Sequence, residues 1–193
     1  METTKNKLVP ELSVFFSRLS VYLDTKLYFF GSIQRNDYFP GLSDIDVDIF
    51  TDNEYSIMAK MQSYLNLKKS KFKKLIWKIS GDVFAHGYKV TYNFITEMGE
   101  KYPIEFSIYN KKYQKNVLYE HNYKTNLPFY ISWILIVLKF LHYKLNVFEY
   151  STYKNIKSYV LSNMIGFPKD KFVVLDSDPA VTEQRIHQVL VGW

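Results

Sequence analysis

Apolar positions along the chain change period several times. Over Pro10–Leu23, Leu12, Phe15, Phe16, Leu19 and Leu23 recur at helical spacing, and Pro10 suits a first helical turn. Residues 26–30, "KLYFF", form a short apolar aromatic run stopped by Gly31, which predicts a strand. "RNDYFPGLS" is rich in loop formers, with Pro40-Gly41 marking a turn. "DIDVDIF" then alternates strictly, predicting a strand with one acidic and one apolar face. A helix is expected over 53–67, N-capped by Asn53, Thr51 or Asp52, with Ile57, Met61, Tyr64 and Leu65 inward. Three strands follow, "LIWKIS", "YKVTYNFI" and "YPIEFSIY", the last two joined by a hairpin loop at Gly99. Beyond Tyr109 the period becomes helical over 111–120, 128–145 and 152–164. A short strand, "KFVVL", and a helix from Asp178 or Pro179 to Leu190 complete the chain.

Strands thus cluster between 26 and 109 and helices dominate afterwards, an α+β pattern. The expected architecture is a short mixed sheet backed by helices, followed by a mainly helical C-terminal region. The division falls near 115, giving a core over 1–115 and a helical region over 116–193 that can share one core. No internal repeat or low-complexity linker separates them. With 193 residues, 47% hydrophobic and 18% aromatic, the chain has material for a substantial core. Cysteine is absent, which excludes disulfides and thiolate metal sites. The net charge of +6 suits an anionic partner such as RNA, DNA or nucleotide phosphates, and equally the ordinary surface charge of a soluble chain. The first residues lack the apolar segment of a signal peptide. "FYISWILIVLKFL" is short for a bilayer span and carries Lys139, so it reads as a buried core helix. A cytoplasmic protein without membrane attachment is the expectation.

The acidic strand carries the candidate chemistry. Asp44, Asp46 and Asp48 share one face, and Ile45, Val47 and Ile49 are free to pack under a helix. Clustered carboxylates repel and cannot all ionise cheaply without a cation between them. Mg²⁺ or Mn²⁺ prefers such oxygen ligands, often together with substrate phosphates, and a two-ion site can activate an attacking oxygen and steady a leaving one. Upstream, Gly31 allows close backbone approach, and a turn there with the Ser32 hydroxyl can hold phosphate.

Gly-Ser and D-x-D occur here together, thirteen residues apart, between apolar flanks. The stretch "FFGSIQRNDYFPGLSDIDVDIF" resembles the signature of the DNA polymerase beta-like nucleotidyltransferase superfamily, and "SDIDVDI" is similar to minimal and non-templated terminal transferases. The resemblance implies a third metal-binding carboxylate on a later strand, which "PIEFSIY" supplies as Glu105, a Glu where Asp is commoner. Asp82 and Glu97 are rivals in expected turns. The resemblance gives Asp44, Asp46 and Glu105 the catalytic and metal-binding roles, with two Mg²⁺ or Mn²⁺ ions. Gly31 and Ser32 are assigned to nucleotide binding. Asp48, one step further, is expected to pair with a Lys or face water, and becomes the third ligand if Glu105 is not.

The implied function is transfer of a nucleoside monophosphate from a nucleoside triphosphate, ATP foremost, to an acceptor hydroxyl with release of pyrophosphate. An RNA or DNA 3′ end suits the basic charge, and the short chain suits a non-templated enzyme. Two alternatives stand beside it. One is an inactive nucleotide- or RNA-binding module or subunit of the same fold. The other is a toxin–antitoxin-type transferase acting on a protein or tRNA, with a protein partner. The run "KKSKFKK" at 68–74 reads either as a backbone-phosphate track or as a solvated loop or lysine-guarded edge strand. Lys111, Lys112 or Lys115 is a candidate for the triphosphate, and Tyr109 for base stacking. The four histidines read as structural or surface residues. No Ser-His-Asp arrangement, Walker loop or dinucleotide fingerprint is present.

Overall fold

A computed structural model of the chain describes residues 4–79, 83–166 and 171–175. It opens with helix α1 (Pro10–Leu23) and strand β1 (Leu27–Phe30). A 3₁₀ turn (Gly31–Gln34) and a loop lead to β2 (Ile45–Thr51) and α2 (Glu54–Leu65). Strands β3 (Lys73–Lys78), β4 (Phe84–Ile95) and β5 (Lys101–Asn110) follow. Helices α3 (Gln114–Thr125), α4 (Phe129–Tyr143) and α5 (Tyr150–Tyr159) come next, then a π-helical turn (Val160–Met164) and β6 (Lys171–Leu175). The architecture is the expected α+β one. The helix expected to run to Leu190 lies outside the described residues. Among the described residues no single helix is long and apolar enough to cross a membrane.

Among the described residues, six strands form one mixed sheet in the order β1-β2-β5-β4-β3-β6. Only β2 and β5 run parallel; every other neighbouring pair is antiparallel. Strand β6, which follows the helices in sequence, thus returns to cover the outer side of β3.

One face of the sheet is apolar at its centre. Val47, Phe106 and Val90 lie in register across β2, β5 and β4, and all are buried. Leu12, Phe16, Leu19 and Leu23 of α1 and Ile57, Met58, Met61 and Leu65 of α2 close over them. Each such side chain contributes about 1.5–3 kcal/mol on burial. Helix α2 begins where Asn53 Oδ1 accepts the Ser56 N–H at 3.0 Å.

The opposite face changes character along the strands. At one end Phe50, Tyr109, Leu75, Trp77 and Ala85 pack with Val117 of α3 into a second core. Tyr109 is buried there, which removes it as a base-stacking residue. Strand β4 begins earlier than the alternation suggests, at Phe84, and runs through Gly87. A Cβ at Gly87 would meet the Ile108 carbonyl and the Tyr109 ring, so the residue that interrupts the sequence pattern is the one the pairing requires. The other end of this face carries the acids.

Candidate active site

Asp46 and Glu105 are lateral partners on the parallel strands β2 and β5, so their side chains leave the sheet side by side. Phe30, the last residue of β1, partners Asp46 on its other side. The chain then turns sharply at Gly31, whose φ is +70°. A Cβ there would run into Asp46 Oδ2, so glycine is needed both for the backbone and for the space. Ser32, next in this 3₁₀ turn, is buried, with its hydroxyl 3.4 Å from the Asp44 carbonyl oxygen. Asn6 braces the turn by donating its Nδ2 to the carbonyls of Ile33 at 2.9 Å and Arg35 at 2.6 Å. The two halves of the sequence signature therefore meet through backbone contact.

The electrostatics single out Asp46. Burial, then Glu105, then exposed Asp44, push its pKa from the ordinary 3.8 to about 8. Lys157 of α5 and Arg35 of the loop oppose that rise. Glu105 is in an ion pair with Lys89 of β4. Among the described residues, no three carboxylate or imidazole groups already converge on a common metal position. The donor chemistry nonetheless fits a hard divalent cation: the cluster is all oxygen, Asp46 is held beside Glu105, and its charge is poorly compensated.

Asp48 departs from its expected place. It neither faces water nor pairs with a lysine; it is fully buried under α3. His121 Nε2 lies 2.8 Å from Asp48 Oδ2, off the line of a good hydrogen bond, so both groups keep unsatisfied capacity. Burial raises the Asp48 pKa, and the His121 ring works against that rise. The His121 ring stacks on Phe30 at 3.8 Å between centroids and faces Trp77 at 5.2 Å. The pair ties α3 to the acidic strand. Helix α3 covers the row holding Asp48 and leaves the row holding Asp46 accessible. Glu97 is exposed in the hairpin turn, and Asp82 lies outside the described residues.

The sequence reading missed a basic group on the near side of the site. Asp37 is buried, with Arg35 Nε 2.8 Å and Lys139 Nζ 3.0 Å from its carboxylate. Lys139 also donates to the Asp37 carbonyl at 2.6 Å and the Ser43 hydroxyl at 3.3 Å. This fixes the loop that delivers Asp44. Lys157 feels Arg35, Asp37, Asp46 and Asp44 in turn, its pKa lowered first by burial. A lone Lys139 within the apolar run was the one available signal. Lys111, Lys112 and Lys115 are exposed at and after the end of β5.

A family model described as a nucleotidyltransferase domain matches residues 9–124, more than half of the chain. No curated protein and no solved structure matches at a significant level. The matched span runs through the Gly-Ser turn, both strands of the acid pair and most of α3. This chain belongs to the nucleotidyltransferase domain family, within the polymerase beta-like superfamily, and its general chemistry is nucleotidyl transfer.

Proposed function

We propose that the chain is a metal-dependent, non-templated nucleotidyltransferase. It takes a nucleoside triphosphate, ATP foremost, and passes the nucleoside monophosphate to the 3′ hydroxyl of an RNA or DNA strand, releasing pyrophosphate. The observation that carries the reading is the lateral pairing of Asp46 with Glu105 beside the Gly31 turn. Asp44, Asp46 and Glu105 would hold two Mg²⁺ or Mn²⁺ ions, whose contribution when bound is to stabilise charge on the reacting phosphate and favour ionisation of the attacking hydroxyl.

The chain's own residues account for the rest by positioning and charge. The turn at Gly31 and Ser32 brings backbone close to the carboxylates, where the distal phosphates would lie. Arg35 and Lys157 add positive charge beside Asp46, on the side where a triphosphate brings negative charge. Glu105 stands on the β4 side, where the acceptor hydroxyl would enter, and Lys89 holds its carboxylate in place.

The test is incubation with Mg²⁺ or Mn²⁺ and each labelled nucleoside triphosphate, offering RNA, DNA and protein acceptors. Extension of a nucleic acid that depends on Asp46 is the expected outcome. Labelling of protein alone, or no product with any acceptor, would overturn it.

A further inference from the structure

The lysine run at 68–74 takes on a location once the sheet register is known. Lys73 partners Lys89, Lys89 partners Ser107, and Ser107 partners Asp48. Partners across a sheet share a face, and residues two apart on a strand do too. Lys73 and Lys89 therefore project from the same face as Asp46 and Glu105. Lys89 reaches Glu105 directly. Before Lys73 the chain forms a 3₁₀ turn over Lys69–Lys71, and Lys68, Lys69, Lys71 and Lys73 are all exposed.

Two plain explanations of the run lose force. Lysines commonly guard an exposed sheet edge, but Lys68, Lys69 and Lys71 precede β3, which starts at Lys73 and is flanked by β4 and, from Lys74 on, by β6. Lysines also complement a helix C-terminus within its last turn, but α2 ends at Leu65 and most of the run lies beyond that reach. The remaining feature is a row of cations leading from the β3 end of the sheet toward Glu105. It lies across the sheet from the β1 side, where Gly31 and Ser32 sit.

We infer that Lys69, Lys71 and Lys73 form the track that binds the phosphate backbone of the polynucleotide acceptor and leads its 3′ end to Glu105. The inference rests on the nucleotidyl-transfer reading for the strand's purpose, but not for its binding. Lys73 and Lys89 share the acid face, and exposed Lys69 and Lys71 in the turn just before Lys73 extend the positive charge, which suits a chain of phosphates better than a protein or small-molecule acceptor.

Binding of labelled single-stranded RNA and DNA oligonucleotides of about 12 nucleotides to the full chain, followed by anisotropy over about 50 to 200 mM salt, tests it. Each strand phosphate neutralised contributes about 0.7 to the slope of log affinity against log salt. The combined Lys69→Ala, Lys71→Ala, Lys73→Ala variant should lower that slope by about 2, so the unaltered chain loses roughly 20-fold more affinity over this range. Lys74→Ala, on the opposite face, should leave the slope unchanged, and nucleoside triphosphate binding should be unaffected in both variants. If the triple variant does not fold, Lys69→Ala with Lys71→Ala in the exposed turn should lower the slope by about 1.4.

An unchanged slope in a folded variant overturns the track. So does an unaltered chain that binds neither oligonucleotide, or a variant that loses transfer to a protein acceptor instead. Salt-dependent oligonucleotide binding that the triple variant weakens, without any transfer by the unaltered chain, sustains the track and overturns the transferase reading. RNA and DNA bound alike indicates backbone recognition, and preference for RNA adds a 2′-hydroxyl contact; both sustain it.

Discussion

Asp46 on β2 and Glu105 on β5 stand side by side although 59 positions separate them in the chain, because these are the two strands that run parallel. A parallel pair needs a crossover connection, and here α2, β3 and β4 supply it. The arrangement costs stability. Asp46, with its pKa raised to about 8, binds a proton in the folded metal-free protein that it has lost in the unfolded chain over the window from about 4 to 8. Its contribution therefore weakens the fold as pH rises through that window. Asp46→Asn should abolish transfer, at least about 100-fold. In chelator near pH 7 it should also raise the melting temperature by about 2–4 °C. Thermal melts against pH check the sign: the advantage of the Asn variant should grow from pH 4 to 8. Glu105→Gln should likewise remove transfer without unfolding the protein. If Asp48→Asn were the damaging change and Glu105→Gln harmless, Glu105 would not be the third ligand.

Gly31 provides a second prediction. Its φ of +70° disfavours any other residue, and the space a Cβ needs is taken by Asp46 Oδ2. Gly31→Ala should cost about 1–2 kcal/mol from backbone strain. Transfer should fall further than stability, because relief requires moving the Asp46 carboxylate or the turn. Chemical denaturation beside transfer rates separates the two. Equal small effects on both would mean the turn is not coupled to the acid.

Much of this site was legible before the fold was known. Strict alternation in "DIDVDIF" put the acids on one face, and Gly31 marked the turn facing them. Asp48 was not legible, because period-two parity treats Asp46 and Asp48 alike. Only the position of α3, set by Val117 packing with Tyr109 and Trp77, decides that one acid row is covered and the other open. The same packing buried Tyr109, which parity alone had placed beside Glu105. The role of Lys139 was hidden for a related reason. An apolar helix with one lysine reads as an interrupted core helix until its partner, Asp37, is known to lie 102 positions away.

The buried Asp48–His121 contact gives a third prediction. Removing the imidazole leaves the buried Asp48 carboxyl without its neighbouring polar group, and losing the partner of a buried polar group costs about 1–3 kcal/mol. His121→Ala should approach that range in urea denaturation. Asp48→Asn, which removes the charge and keeps the shape, should cost less. Combining His121→Ala with Asp48→Asn should recover part of the loss. Additive losses would show that the two side chains do not act as a pair.

Asp37 carries the final prediction, on pH. Burial works to raise its pKa, but Arg35 and then Lys139 outweigh it, leaving the carboxyl at about 2 against an ordinary 3.8. The unfolded chain therefore takes up a proton before the folded one does. Asp37 contributes its full stability above about pH 4 and loses it as pH falls toward 2, a difference of roughly 2 kcal/mol. Lys139 goes the other way: burial outweighs Asp37 and lowers its pKa to about 8, so its charge is held at a cost that fades as pH rises from 8 toward 10.5. The two partners are thus unequal. Asp37→Asn should strongly destabilise the protein at pH 6, because it leaves Arg35 and Lys139 facing each other without an anion. Lys139→Met should cost less, since Arg35 still pairs with Asp37 and the buried ammonium, held at a cost, is removed. The gap between Asp37→Asn and the unaltered chain should close as pH falls from 4 to 2. Denaturation midpoints across that range check it, and a gap that stayed constant would mean that Asp37 is not held ionised by these cations.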